Sequence, residues 1–110
     1  MSTTSVVAPR STVPDLPLLV SALVACLDGE GFRFVLFGSR ATGHNRPNSD
    51  WDIGVLGPRP LFPMERTRMR MVIEEWPTLH TIDLVDLTAA SERFRTAALA
   101  ESVPLEAQAA

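Results

Sequence analysis

The chain has 110 residues, 45% of them apolar and 21% charged, which suits one globular domain with a core and excludes a disordered segment. Its net charge of −3 argues against nonspecific nucleic-acid binding. A lone cysteine, Cys26, excludes a disulfide framework or a thiolate metal centre, and reads instead as a small core residue. All 10 basic residues are arginine, which fits phosphate recognition but is better explained by codon bias.

Residues 1–14 hold Ser, Thr and Pro without apolar periodicity and read as a mobile tail, leaving 15–110 as the domain. A helix follows over about 15–28. Leu16, Leu19, Val20, Leu23, Val24 and Leu27 make its apolar stripe, Asp15 its N-cap, Pro17 its first turn, and Gly29 or Gly31 its stop. Leu23-Val24-Ala25-Cys26 is shaped like a lipoprotein cleavage box, but almost no basic segment precedes the run and Asp15 abuts it. The run is also too short to span a bilayer, so the expectation is a cytoplasmic protein with no membrane contact. A buried strand covers about 32–37, and Ser39 opens a short helix after the Gly38 turn. A polar loop over 43–48 leads to a second strand at about 51–56, broken by Gly57-Pro58-Arg59-Pro60. The next helix runs from Pro63 to Trp76, burying Met69, Val72, Ile73 and Trp76 and stopped by Pro77. A third strand spans about 81–87, and a last helix from near Ser91 buries Phe94 and Leu99. This order predicts an α/β (α+β) fold, a small mixed sheet flanked by helices.

Asp50 and Asp52 stand two apart at the mouth of the second strand, so both project to one face, toward Gly38-Ser39. A buried carboxylate pair costs several kcal/mol without a cation. A solvated turn acid beside a strand-end acid explains one carboxylate comfortably and two poorly. A divalent metal next to a phosphate site explains both. Gly38 lets the backbone approach a triphosphate, and Ser39 opens a helix whose free N–H groups suit phosphate oxygens. Neither a Walker loop nor a GxGxxG fingerprint competes. A third acid must come from the last strand, where Asp83 and Asp86 face opposite sides and cannot both join. Arg40 stands within reach of a phosphate, with a surface role as the alternative. His44 and His80 read as solvated, and Arg66, Arg68 and Arg70 with Glu74 and Glu75 as a solvated helix face.

The segments Leu36-Phe37-Gly38-Ser39-Arg40-Ala41-Thr42-Gly43 and Asn48-Ser49-Asp50-Trp51-Asp52-Ile53 resemble the nucleotidyltransferase superfamily, which includes DNA polymerase β and the aminoglycoside nucleotidyltransferases. The likeness is greatest to the minimal nucleotidyltransferases of HEPN/MNT toxin–antitoxin pairs. The resemblance implies the nucleotidyltransferase fold, with Gly38, Ser39 and Arg40 binding nucleotide. Its third acid follows the first hydrophobic position of a strand, matching Ile82-Asp83-Leu84-Val85, so Asp83 joins Asp50 and Asp52 in holding two Mg²⁺ ions. Thr42 stands where many relatives carry a basic residue. The implied reaction moves AMP from ATP to a tyrosine hydroxyl of a partner HEPN ribonuclease toxin. Aminoglycoside enzymes carry a helical domain after the catalytic one; few residues follow Asp83 here, so the expected acceptor is another protein. The chain has no Tyr to modify in itself. Two alternatives stand beside this: an antitoxin that binds nucleotide but acts by occlusion, or a small-molecule nucleotidyltransferase with its acceptor pocket at a homodimer interface.

Overall fold

Asp15 caps the first helix, α1 (Leu16–Val24), by accepting the Leu18 N–H at 3.1 Å, as the sequence predicts. The computed structural model describes residues 13–108, so positions 1–12 of the expected tail lie outside the described residues. The helix is shorter than expected, and the N–H groups of Cys26 and Leu27 bond three residues back instead of four. Tertiary partners take over there. Arg68 donates to the Cys26 carbonyl at 3.0 Å, and the Glu65 carboxylate accepts the Asp28 N–H at 2.7 Å. Val24, expected in the buried stripe, is exposed, whereas Leu19, Val20 and Leu23 are fully covered.

β1 (Arg33–Phe37) pairs antiparallel with β2 (Trp51–Leu56), and β3 (Ile82–Asp86) lies parallel to β2 on its far side. The parallel pairing needs a crossover, supplied by α3 (Pro63–Glu74). A further strand, β4 (Val103–Leu105), pairs antiparallel with β1 and completes a four-stranded sheet of order β3-β2-β1-β4. The sequence reading ended in a helix and did not foresee it. β4 has three residues with Pro104 in the middle, and a proline without an N–H is tolerated on an edge strand.

One face of the sheet carries Phe34, Leu36, Trp51, Ile53, Val55 and Ile82, packed against Leu19, Val20 and Leu23 of α1 and Met69 of α3. Val72, Ile73 and Trp76 of the predicted stripe are partly buried against the same core. The opposite face carries Val35, Phe37, Asp52, Gly54, Asp83 and Val85. α4 (Glu92–Ala100) lies on that side, with Phe94 edge-on to Phe37 at 6.1 Å between ring centroids. Phe94 was expected to be buried; it is 45% exposed, because only its edge meets the sheet.

Among the described residues Glu65 is the buried charged side chain, and no sequence feature had singled it out. It sits in the first turn of α3, where its carboxylate accepts the Phe62 N–H at 2.7 Å and both arms of Arg59 at 2.8 and 2.9 Å. Arg59 in turn stacks on the Phe62 ring at 3.6 Å. These Arg59 hydrogen bonds, aided by the Asp28 and Phe62 N–H groups, hold the Glu65 carboxyl down at about 2. One buried acid thereby ties α3 to the loops after α1 and β2.

Candidate functional site

The topology brings the end of β1 and the beginnings of β2 and β3 to one edge of the sheet. β1 runs into that edge while β2 and β3 both leave it, so the chemistry-bearing residues at their ends become neighbours. The register makes this specific. Asp52 stands opposite Phe37 on one side and opposite Asp83 on the other. Asp50 precedes β2 by one residue and shares the Asp52 side of the strand.

Gly38 follows Phe37 with φ 76° and ψ −160°, a conformation essentially reserved for glycine. A Cβ built there would collide with the Asp52 carboxylate, so the missing side chain lets the turn lie directly against that acid. Ser39 then opens α2 (Ser39–Thr42), closed by Gly43 at φ 83° in the left-handed region. The Ala41 and Thr42 N–H groups bond back to the Gly38 carbonyl. Those of Ser39 and Arg40 come before the first intrahelical bond and stay available at the turn. The Gly38 turn therefore lies against the strand end that carries the acids.

Asp52 is partly buried, while Asp50 and Asp83 are exposed. The Asp52 carboxyl is pushed above its usual range, first by burial and then by the charges of Asp83 and Asp50. Both neighbours repel the charged form of Asp52. Among the described residues no group of three or more His, Cys, Asp or Glu stands close enough together to hold a metal ion. Like charges on an open rim have no reason to close on one another. The donor set is all carboxylate oxygen, beside a backbone turn that only glycine permits, and it suits a hard divalent cation such as Mg²⁺.

Asp86 is separate, as its strand position predicts. One carboxylate oxygen accepts the Leu61 N–H at 2.9 Å, and the other accepts those of Thr88 and Ala89 at 3.1 and 3.3 Å. It is a strand-end acid that organises the turn after β3. An open groove of about 310 Å³ runs along the outer side of β3, between Arg66, Arg70 and Ile73 of α3 and Ile82 and Leu84, and reaches Asp83.

Arg40 does not point at the acids. Its guanidinium donates to the carbonyls of Pro47 and Ser49, each at 3.0 Å, and lies 4.2 Å from the centre of the Trp51 ring. His80, expected to be solvated, is half-buried: it meets the Trp51 ring edge-on at 6.1 Å and stands 3.4 Å from Arg40. His44 is exposed, as expected, with Thr42 Oγ1 at 3.2 Å. The bulk of Trp51 could have signalled this cluster, since alternation sends residue 51 away from Asp50 and Asp52 into the core.

The family model described as "Polymerase beta, Nucleotidyltransferase" matches residues 33–108, from β1 through β4. The chain belongs to the polymerase β-type nucleotidyltransferase family. The predicted fold, a mixed sheet with flanking helices, is the fold observed. Similar solved structures include a toxin–antitoxin crystallised with AMP-PNP, at 26% identity and a TM-score of 0.62, covering 82% of this chain and 72% of that one. A second, the toxin–antitoxin MntA-HpeT with two aspartates changed to glutamate, is 24% identical with a TM-score of 0.61, covering 82% and 70%. A third, MntA-HpeT with a tyrosine changed to alanine, is 25% identical with a TM-score of 0.58, covering 78% and 68%. Among curated proteins, none matches. Among the described residues no helix is long and apolar enough to cross a membrane.

Proposed function

We propose that this nucleotidyltransferase is an antitoxin that transfers AMP from ATP to a tyrosine hydroxyl of a partner HEPN ribonuclease toxin. The observation that carries the reading is the register that sets Asp52 beside Asp83, with Asp50 on the same rim and the Gly38 turn against the Asp52 carboxylate. Similarity to toxin–antitoxin complexes, one of them with AMP-PNP, supports both the partner class and the nucleotide. The double aspartate-to-glutamate variant alters two acids spaced as Asp50 and Asp52 are, and another variant removes a tyrosine.

Asp50, Asp52 and Asp83 would hold Mg²⁺, which supplies charge neutralisation on the triphosphate and acidifies a hydroxyl. Gly38 and the Ser39 N–H orient the triphosphate. The acceptor oxygen attacks the α-phosphorus in line, the bond to the bridging oxygen breaks, and pyrophosphate leaves. Asp83, on the edge strand and among the residues that line the β3 groove, takes or steers the acceptor proton. The groove gives a protein side chain a route to it.

The test uses ATP labelled at either the α- or the γ-phosphate, incubated with Mg²⁺, this protein and the toxin encoded beside it. Label reaching the toxin from the α position alone, and none with Asp50→Asn, supports the proposal. Label from the γ position, or equal labelling by the variant, overturns it.

A further inference from the structure

Arg40 is the best-anchored side chain near the proposed metal site that the reaction leaves without a task. It belongs to α2, one residue after Ser39, yet its guanidinium crosses to the far end of the connecting loop. Nη2 donates to Pro47 and Ser49 and Nε adds a second, longer bond to Ser49 at 3.3 Å. The Ser49 carbonyl belongs to the peptide that leads into Asp50. The same guanidinium stacks on Trp51, the residue between the two acids, while His80, three residues before Asp83, closes the cluster from the third strand's side. The Arg46 N–H to Ser49 Oγ bond at 2.8 Å folds the loop into place beneath it. Backbone before Asp50 and side chain after it are thus both held by one cation rooted in the phosphate-facing helix.

We infer that Arg40 is a positioning residue: by bonding the Pro47 and Ser49 carbonyls and stacking on Trp51, it fixes Asp50 beside Asp52 and couples the metal rim to the Gly38-Ser39 turn. The inference rests on the reading of Asp50 and Asp52 as metal ligands, and it replaces the expected phosphate contact of Arg40. A planar guanidinium does this work and an ammonium does not. A lysine ammonium has donors enough for both carbonyls, but it has no planar face to lie flat on an indole while it bridges them. Groups that orient a metal ligand typically change metal affinity by about 10–100-fold when lost.

The experiment measures Mn²⁺ binding by electron paramagnetic resonance, with a non-hydrolysable ATP analogue present, and separately measures analogue binding in EDTA. It compares the wild type with Arg40→Lys, Arg40→Gln and Asp50→Asn, with circular dichroism as the check on folding. Arg40→Lys should weaken Mn²⁺ binding by about tenfold or more while metal-free analogue affinity stays within about twofold. Arg40→Gln should do the same, and Arg40→Lys serves alone if the glutamine variant does not fold. Wild-type Mn²⁺ affinity in a folded Arg40→Lys overturns the inference. So does a loss confined to metal-free nucleotide binding, which would make Arg40 a phosphate ligand, and so does unfolding of both variants, which would make it a general support of the fold. If Asp50→Asn binds Mn²⁺ as the wild type does, the metal reading fails first and the inference falls with it.

Discussion

Gly38 and Gly43 together test whether the turn serves the site. Both hold positive φ, at 76° and 83°, and they bracket the same short helix. Alanine at Gly43 meets the left-handed penalty of about 1–2 kcal/mol, and alanine at Gly38 meets a larger one, because its ψ of −160° puts it in a region only glycine enters. For a domain of this size about 1–2 kcal/mol corresponds to a fall in Tm of roughly 5–10 °C. The surroundings differ. A Cβ on Gly43 meets nothing within 4 Å, whereas a Cβ on Gly38 runs into the Asp52 carboxylate. Gly38→Ala must push Asp52 aside or open the turn, and either change disrupts the rim. The expected outcome is a larger fall in Tm for Gly38→Ala than for Gly43→Ala, with Mg²⁺-dependent nucleotide binding lost only in Gly38→Ala. Differential scanning fluorimetry gives the stabilities and calorimetric titration at a temperature where both are folded gives the binding. A Gly38→Ala protein that binds as the wild type does, or a Gly43→Ala protein that loses as much, would refute the argument.

Glu65→Gln should lower stability, because it removes the buried carboxylate that accepts from Arg59 and from the Asp28 and Phe62 N–H groups. The Glu65 carboxyl is held at about 2, below its ordinary 4.5, so its contribution is complete above 4.5 and is lost as the pH falls through about 2. The Tm gap between wild type and variant should therefore narrow over that acid range; a constant gap would contradict the pairing. Asp52 has the opposite sign. Its carboxyl is raised by burial and by Asp83 and Asp50, so its contribution is present below its ordinary 3.8 and is lost as the pH rises through the folded value. At neutral pH without metal, Asp52→Asn should hold or gain stability, and a clear drop in Tm in EDTA would contradict the like-charge account. Asp83→Ala should abolish transfer with little change in Tm. Asp86→Ala should lower stability by about 1–3 kcal/mol by orphaning the Leu61 and Thr88 N–H groups, and the reverse pattern would mean the register of β3 is misassigned.

What could be read from the chain was local. The two apolar runs around Gly38-Ser39 and Asp50-Trp51-Asp52 carry their strand character and their i, i+2 facing in a few residues. The choice of Asp83 over Asp86 came from alternation together with the family pattern, and the register sets Asp83 opposite Asp52. What could not be read depended on distant partners. Glu65 lies among Arg66, Arg68 and Arg70 and looks solvated until Arg59 and the Asp28 N–H arrive from other loops, although an acid two residues after a helix-opening proline was a capping signal. Arg40 carries no mark of whether it turns to a phosphate or to the Pro47 and Ser49 carbonyls, because the loop must fold before those carbonyls meet it. β4 is three residues around a proline, and its strand character comes from the open edge of β1.

The proposed activity silences a toxin by covalent transfer of a nucleotide. The most direct measurement is the intact mass of the neighbouring toxin after incubation with this protein, ATP and Mg²⁺, set against the Asp50→Asn variant. The toxin should become heavier by whole AMP units with the wild type and stay unchanged with the variant. A toxin neutralised at unchanged mass, and equally well by the variant, would contradict it.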